Sequence, residues 1–162
     1  MVTGPSGAGK DSVIEEARKC GLIFGTVTTT SSRPMRLNEH DGQPYHFVTH
    51  EQFTEMIAQG AMIEWAVVYE NMYGSTREEV ERALAQHDVV IIKVDPQGAR
   101  QFKKLFPDCT TIFIAPPSLA YLQRRLEQRN ADAPSVIVKR LSIAKEELEN
   151  MKQWDVVIRN EE

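Results

Sequence analysis

An α/β fold, a parallel sheet flanked by helices, is predicted by three observations. Apolar runs rich in β-branched residues alternate with helical patterns along most of the 162 residues. Two of these runs, Val89–Val94 and Thr111–Ala115, are nearly continuous, as strands covered on both faces are. A glycine-rich segment, Gly4-Pro5-Ser6-Gly7-Ala8-Gly9-Lys10, directly precedes the first helical pattern.

Residues 11–19 carry that first helix, with Val13, Ile14 and Ala17 on its apolar face. Leu22–Thr29 reads as one extended strand. Residues 33–44 read as irregular, because Pro34, Gly42 and Pro44 punctuate them. Tyr45–Val48 is a short strand, and Thr49-His50-Glu51-Gln52 is a capping box opening a helix to about Gln59. Ala61–Tyr69 is a strand, and Ser75-Thr76-Arg77-Glu78 is a second capping box for a helix to about Gln86. The strand Val89–Val94 precedes a helix over 97–105, and Thr111–Ala115 precedes a helix that Ser118 caps and that runs through Arg129. A polar gap, Asn130–Pro134, leads to a long helix ending near Trp154, and Val156–Arg159 is the last strand. Only three residues precede the Gly-rich loop, too few for a full strand. One domain over 1–162 is expected, with 33–75 as an inserted mixed segment.

Composition narrows the partners. The net charge is −4, which argues against nucleic acid or an anionic membrane as the main partner. No stretch approaches the about 18 apolar residues of a membrane-spanning helix. Cys20 and Cys109 stand far apart and outside any metal spacing, as reduced thiols of a cytoplasmic protein would. His46 and His50 straddle a strand–helix boundary, so they do not form a metal pair on one helix.

The loop carries the chemistry. Gly4, Gly9 and Lys10 match the first seven positions of G-x-x-x-x-G-K-[ST], in which backbone N–H groups converge on phosphate. The helix N-terminus that follows favours an anion, and Lys10 adds a point charge. The eighth position departs: Asp11 followed by Ser12 stands where a hydroxyl usually helps hold Mg2+. A carboxylate there either ligates the cation or repels the phosphates.

Beyond the loop, the segments SSRPMR at 31–36, DGQPYHFV at 41–48, MIEWA at 62–66, YGST at 73–76, VDPQGA at 94–99, FIAPPS at 113–118 and RRLEQR at 124–129 together resemble guanylate kinases, over nearly the whole chain. The resemblance implies a P-loop NTPase core over 1–32 and 76–162, a GMP-binding insertion over about 33–75 and a lid over about 125–140. It implies transfer of a phosphoryl group from Mg-ATP to GMP and dGMP, with ATP and Mg2+ required. A Gly-Lys-Asp-Ser loop is also similar to that of ribose 1,5-bisphosphate phosphokinases. A non-catalytic guanylate-kinase-like binding module is the third possibility, and the oligomeric state, monomer or dimer, stays open.

By the same resemblance, Gly4, Pro5, Ser6, Gly7, Ala8, Gly9, Lys10, Asp11 and Ser12 hold the ATP phosphates, Asp11 and Ser12 hold the metal, and Asn160 lies near the adenine. Arg33 and Arg36 clamp the GMP phosphate, where guanidinium forks suit the dianion, with hydroxyl help from Tyr45 and Tyr73. Glu64 accepts the N1–H and N2–H donors of guanine, with Asp95 beside it and Thr29 and Ser75 completing the base site. Lys10, Arg129 and Arg140 neutralise charge during transfer. Arg125 shares a helix face with Arg129 and has the weaker claim. Lys93, two residues before Asp95, is expected to pair with Asp95 or Asp11.

Overall fold

The computed structural model describes residues 1–37, 39–68, 70–128 and 134–161. Among these the elements run β1 (Val2–Thr3), α1 (Lys10–Lys19), β2 (Gly25–Thr26), β3 (Thr29–Ser31), β4 (His40–Asp41), β5 (Pro44–Phe47), α2 (His50–Ala58), β6 (Met62–Val68), β7 (Asn71–Thr76), α3 (Arg77–Gln86), β8 (Val90–Ile91), α4 (Pro96–Leu105), β9 (Ile112–Ala115), α5 (Leu119–Gln128), α6 (Pro134–Glu149), a 3-10 turn (Met151–Gln153) and β10 (Val156–Arg159). They fall into two compact units, residues 1–22 with 109–162, and residues 23–108.

In the first unit, β1, β9 and β10 form a wholly parallel sheet in that order. The three residues before the loop are therefore enough for a short strand, with Val2 paired to Ile112 and Thr3 to Phe113. Phe113 and Ile114 are fully buried. Leu122 and Leu126 of α5 pack with Ala144 of α6. Asp155 accepts from the backbone N–H and hydroxyl of Thr111 at 2.8 and 2.6 Å, which fixes the entry to β10 beside β9.

In the second unit, β2 pairs in parallel with β8, and a separate mixed sheet has the order β4-β5-β3-β7-β6. Phe53 of α2 packs with Met62 and Met72 of the β6–β7 hairpin. Helix α2 begins with the expected reciprocal capping box between Thr49 and Gln52.

Several expectations are corrected. The extended segment 22–29 is not one strand: Gly25–Thr26 pairs with β8, whereas Thr29–Ser31 pairs with β5 and β7. The 33–44 stretch is not wholly irregular, since His40–Asp41 pairs with Pro44–Tyr45. The second capping box does not form as expected, because α3 is capped by Thr76, whose hydroxyl accepts from Glu79 N at 3.2 Å. Ser75 lies one residue earlier, inside β7. The Val89–Val94 run is a strand only at Val90–Ile91, and Val89 is 57% exposed. The long last helix ends at Glu149, and a 3-10 turn carries the chain on toward Trp154.

Candidate active site

The phosphate loop belongs to the first unit and lies between β1 and α1. Gly9 is the N-cap of α1 in the left-handed conformation, φ 89° and ψ 27°, and no side chain caps the helix. The first-turn N–H groups therefore point away from the helix toward any anion bound there. A Cβ at Gly9 would collide with Asn160 Nδ2 and lie 3.0 Å from Arg125 Nη1. Both conformation and space demand glycine at this position.

Lys10 Nζ donates to the carbonyls of Gly4 and Pro5 at 2.6 and 3.0 Å, so its ammonium is folded back over the loop. Asn160 Nδ2 donates to the Ala8 carbonyl at 3.0 Å, and Asn160 N donates to the Ala115 carbonyl at 2.8 Å. The asparagine thus ties the loop to the end of β9. Arg140 Nη1 donates to Ser6 Oγ at 3.4 Å. Arg125 stacks over Tyr121 at 5.7 Å and reaches the loop at Gly9, a proximity its place in the sequence only hints at. Arg129 lies outside the described residues.

Asp11 and Ser12 are exposed in the first turn of α1. A carboxylate at this position also sits well with the helix dipole. Their oxygen donors fit Mg2+, a hard cation that takes one or two protein ligands and fills the rest from phosphates and water. Among the described residues, no group of three or more His, Cys, Asp or Glu offers a closed metal cage.

The second unit gathers the expected acceptor residues. Glu64 on β6 stands directly opposite Ser75 on β7, where the register shifts after Met62. Ser75 Oγ donates to Glu64 Oε1 at 2.7 Å. Glu64 is 3% exposed and Ser75 fully buried, so this carboxyl faces inward and not toward solvent. Burial pushes the Glu64 carboxyl up to about 7; the Ser75 bond opposes this, and the Asp95 charge adds to it.

Asp95 caps α4, its Oδ1 accepting from Gly98 N at 2.7 Å, with Pro96 in the first turn. Gly98 brings that helix end against the carboxyl, since a Cβ there would collide with Glu64 Oε2. Thr29, 8% exposed on β3, pairs with Tyr45 on β5.

Arg33 forms a fork on Glu39, with Nη1 to Oε2 at 2.7 Å and Nη2 to Oε1 at 2.5 Å. Its guanidinium also stands 5.2 Å from the centroids of both Tyr45 and Phe47. The hydrogen bonds from Arg33 hold the Glu39 carboxyl down at about 2. Glu39 also accepts from Arg36 N at 2.9 Å, so one carboxylate orders both arginine positions. Glu39 is not among the residues expected from the sequence, where its one signal is an acid three residues after Arg36. Tyr45 and Tyr73 meet edge to face at 5.8 Å. Arg36 is exposed. Lys93 Nζ is found 5.5 Å from the Tyr45 centroid.

A family profile described as guanylate kinase matches residues 1–162. The chain is 42% identical to the guanylate kinase of Carboxydothermus hydrogenoformans, over all of this chain and 79% of that protein. It is 42% identical to that of Trichodesmium erythraeum, over 99% of this chain and 87% of the relative. A crystal structure of guanylate kinase from Anaplasma phagocytophilum superposes with a TM-score of 0.76 at 28% identity, covering 99% of this chain and 75% of the other.

Proposed function

The chain belongs to the guanylate kinase family, and from that premise we propose that it transfers the γ-phosphoryl group of Mg-ATP to GMP and dGMP, in the cytoplasm. No helix among the described residues is long and apolar enough to cross a membrane.

The observation that carries the acceptor's identity is the buried Glu64–Ser75 pair. Guanine presents two adjacent donors, N1–H and the N2 amino group, and a carboxylate accepts both. Adenine presents an acceptor at N1 and would leave the carboxyl buried and unmatched, a costly outcome. Thr29 and Asp95 border the same base. Arg33, whose guanidinium is held in a fork by Glu39, and Arg36, whose backbone N–H bonds the same carboxylate, take the acceptor phosphate, with the phenols of Tyr45 and Tyr73.

Gly4 to Gly9 wrap the donor's phosphates with backbone N–H groups, and Lys10 leaves its loop carbonyls for the outer phosphates. Asp11 and Ser12 would hold Mg2+, which supplies neutralisation of the β- and γ-phosphate charge. Asn160 borders the adenine and braces the loop. Arg140, Arg129 and Arg125 add positive charge as it is needed in transfer. Phosphoryl transfer needs positioning and electrostatics and no nucleophilic side chain.

The alternatives fit less well. A ribose 1,5-bisphosphate acceptor has no base to match Glu64. A pure binding module has no use for Lys10 at the loop. A coupled assay of ADP formation from Mg-ATP tests the assignment, with GMP, AMP, UMP and ribose 1,5-bisphosphate offered separately. Turnover with GMP is expected; turnover with the sugar bisphosphate alone, or silence from folded protein, would overturn it.

A further inference from the structure

Among the cations of the second unit that the roles above do not use, Lys93 stands beside the residues assigned to the acceptor phosphate. Lys93 follows β8 and precedes Asp95 by two residues. Ile92 and Val94 are buried, while Lys93 and Asp95 are half-buried on the alternate side of this extended segment. Lys93 Nζ stands 5.5 Å from the Tyr45 centroid. Arg33 Cζ lies 5.2 Å from that same centroid, and Tyr73 meets the same ring edge-on. One phenol therefore gathers two cations, and a second phenol borders it.

An ammonium near an aromatic ring keeps its charge and its donors while losing part of its hydration. Held in that way, a lysine turns to an incoming anion at little cost in side-chain freedom. Tyr45 and Arg33 are the groups assigned to the acceptor phosphate, so the anion that reaches them enters the field of Lys93 as well. We propose that Lys93 is a third cation of the acceptor-phosphate site, a specificity-determining residue that favours a phosphorylated guanine nucleotide over the bare nucleoside. The inference rests on the GMP assignment of this same site. It adds that the lysine, beside Tyr45, acts on the phosphate end of the acceptor.

Equilibrium binding of guanosine and of GMP, without ATP, tests it in the wild type, Lys93→Met and Lys93→Arg. The wild type should prefer GMP. Lys93→Met should lower the GMP-to-guanosine affinity ratio roughly tenfold, the size expected of one charge-assisted contact, with guanosine affinity unchanged. Lys93→Arg should keep most of the preference. An unchanged ratio in Lys93→Met overturns the role of Lys93 and leaves the GMP assignment standing. A wild type that binds neither ligand overturns the assignment and the inference with it. Lys93→Gln is the second variant; loss of guanosine affinity in both it and Lys93→Met would indicate a structural role and overturn the proposal.

Discussion

The hydroxyl of Ser75 meets the carboxyl of Glu64 at 2.7 Å across a pair of directly opposed strand positions. One neutral donor does not offset the burial of a carboxylate, and the group is pushed up to about 7. The free protein thus carries a destabilising group at the position assigned to recognise guanine.

Glu64→Gln separates stability from function. A carboxyl whose pKa is raised on folding contributes fully below its unfolded value near 4.5, and that contribution is lost as pH rises through about 7. At pH 8 the glutamine variant should be more stable than the wild type, by up to about 3 kcal/mol, with the gap closing near pH 4.5. Its turnover of GMP should fall at least about a hundredfold. Urea denaturation at both pH values and steady-state kinetics check the two halves.

Base binding should follow the same titration. Guanine's donors need the ionised carboxyl, so guanosine affinity should rise with pH and level off above about 7. Below that value it should fall by roughly tenfold per pH unit. Guanosine is the right probe because the phosphate of GMP titrates in the same range. The dependence should vanish in Glu64→Gln.

Neighbouring hydroxyls should divide cleanly. Thr76 caps α3 through Glu79 N, whereas Ser75 points at Glu64. Thr76→Ala should cost about 1 kcal/mol of stability and spare GMP affinity. Ser75→Ala should weaken GMP several-fold. Thermal melts and GMP titrations of both variants measure this.

Asn160→Ala should loosen the phosphate loop, since its amide bridges to the Ala8 carbonyl. The KM for ATP is expected to rise roughly tenfold, with GMP affinity in the absence of ATP unchanged. Paired titrations with the two nucleotides distinguish this from general unfolding.

The phosphate loop was legible because its backbone geometry demands glycine at fixed spacings, and Gly9 takes the conformation that spacing implies. The α2 capping box was legible for a similar reason, a local hydrogen-bond pattern written in two residues. Strand β7 was not. Its sequence, Asn71-Met72-Tyr73-Gly74-Ser75-Thr76, has little apolar alternation, and pairing with both β3 and β6 supports it. Pairing with β6 in the hairpin also places Ser75 as the partner of Glu64 and not as the helix cap. Glu39 was missed because its value lies in a fork with Arg33 formed by a turn of the chain that no periodicity announces. Arg125 was undervalued because nearness to Gly9 depends on how α5 packs in its own unit. Glu64 itself was assigned from the resemblance, and strand alternation agrees, with Ala66 buried and Trp65 36% exposed.

Direct competition between acceptors tests the central claim. Equal concentrations of GMP and AMP are offered to the protein with limiting Mg-ATP, and the GDP and newly formed ADP of the acceptor are counted by isotope. A buried carboxylate that reads guanine predicts at least about a ten-thousandfold preference for GMP, collapsing in Glu64→Gln. Comparable phosphorylation of both nucleotides, or a preference that survives in Glu64→Gln, would contradict the assignment of Glu64 as the residue that selects the base.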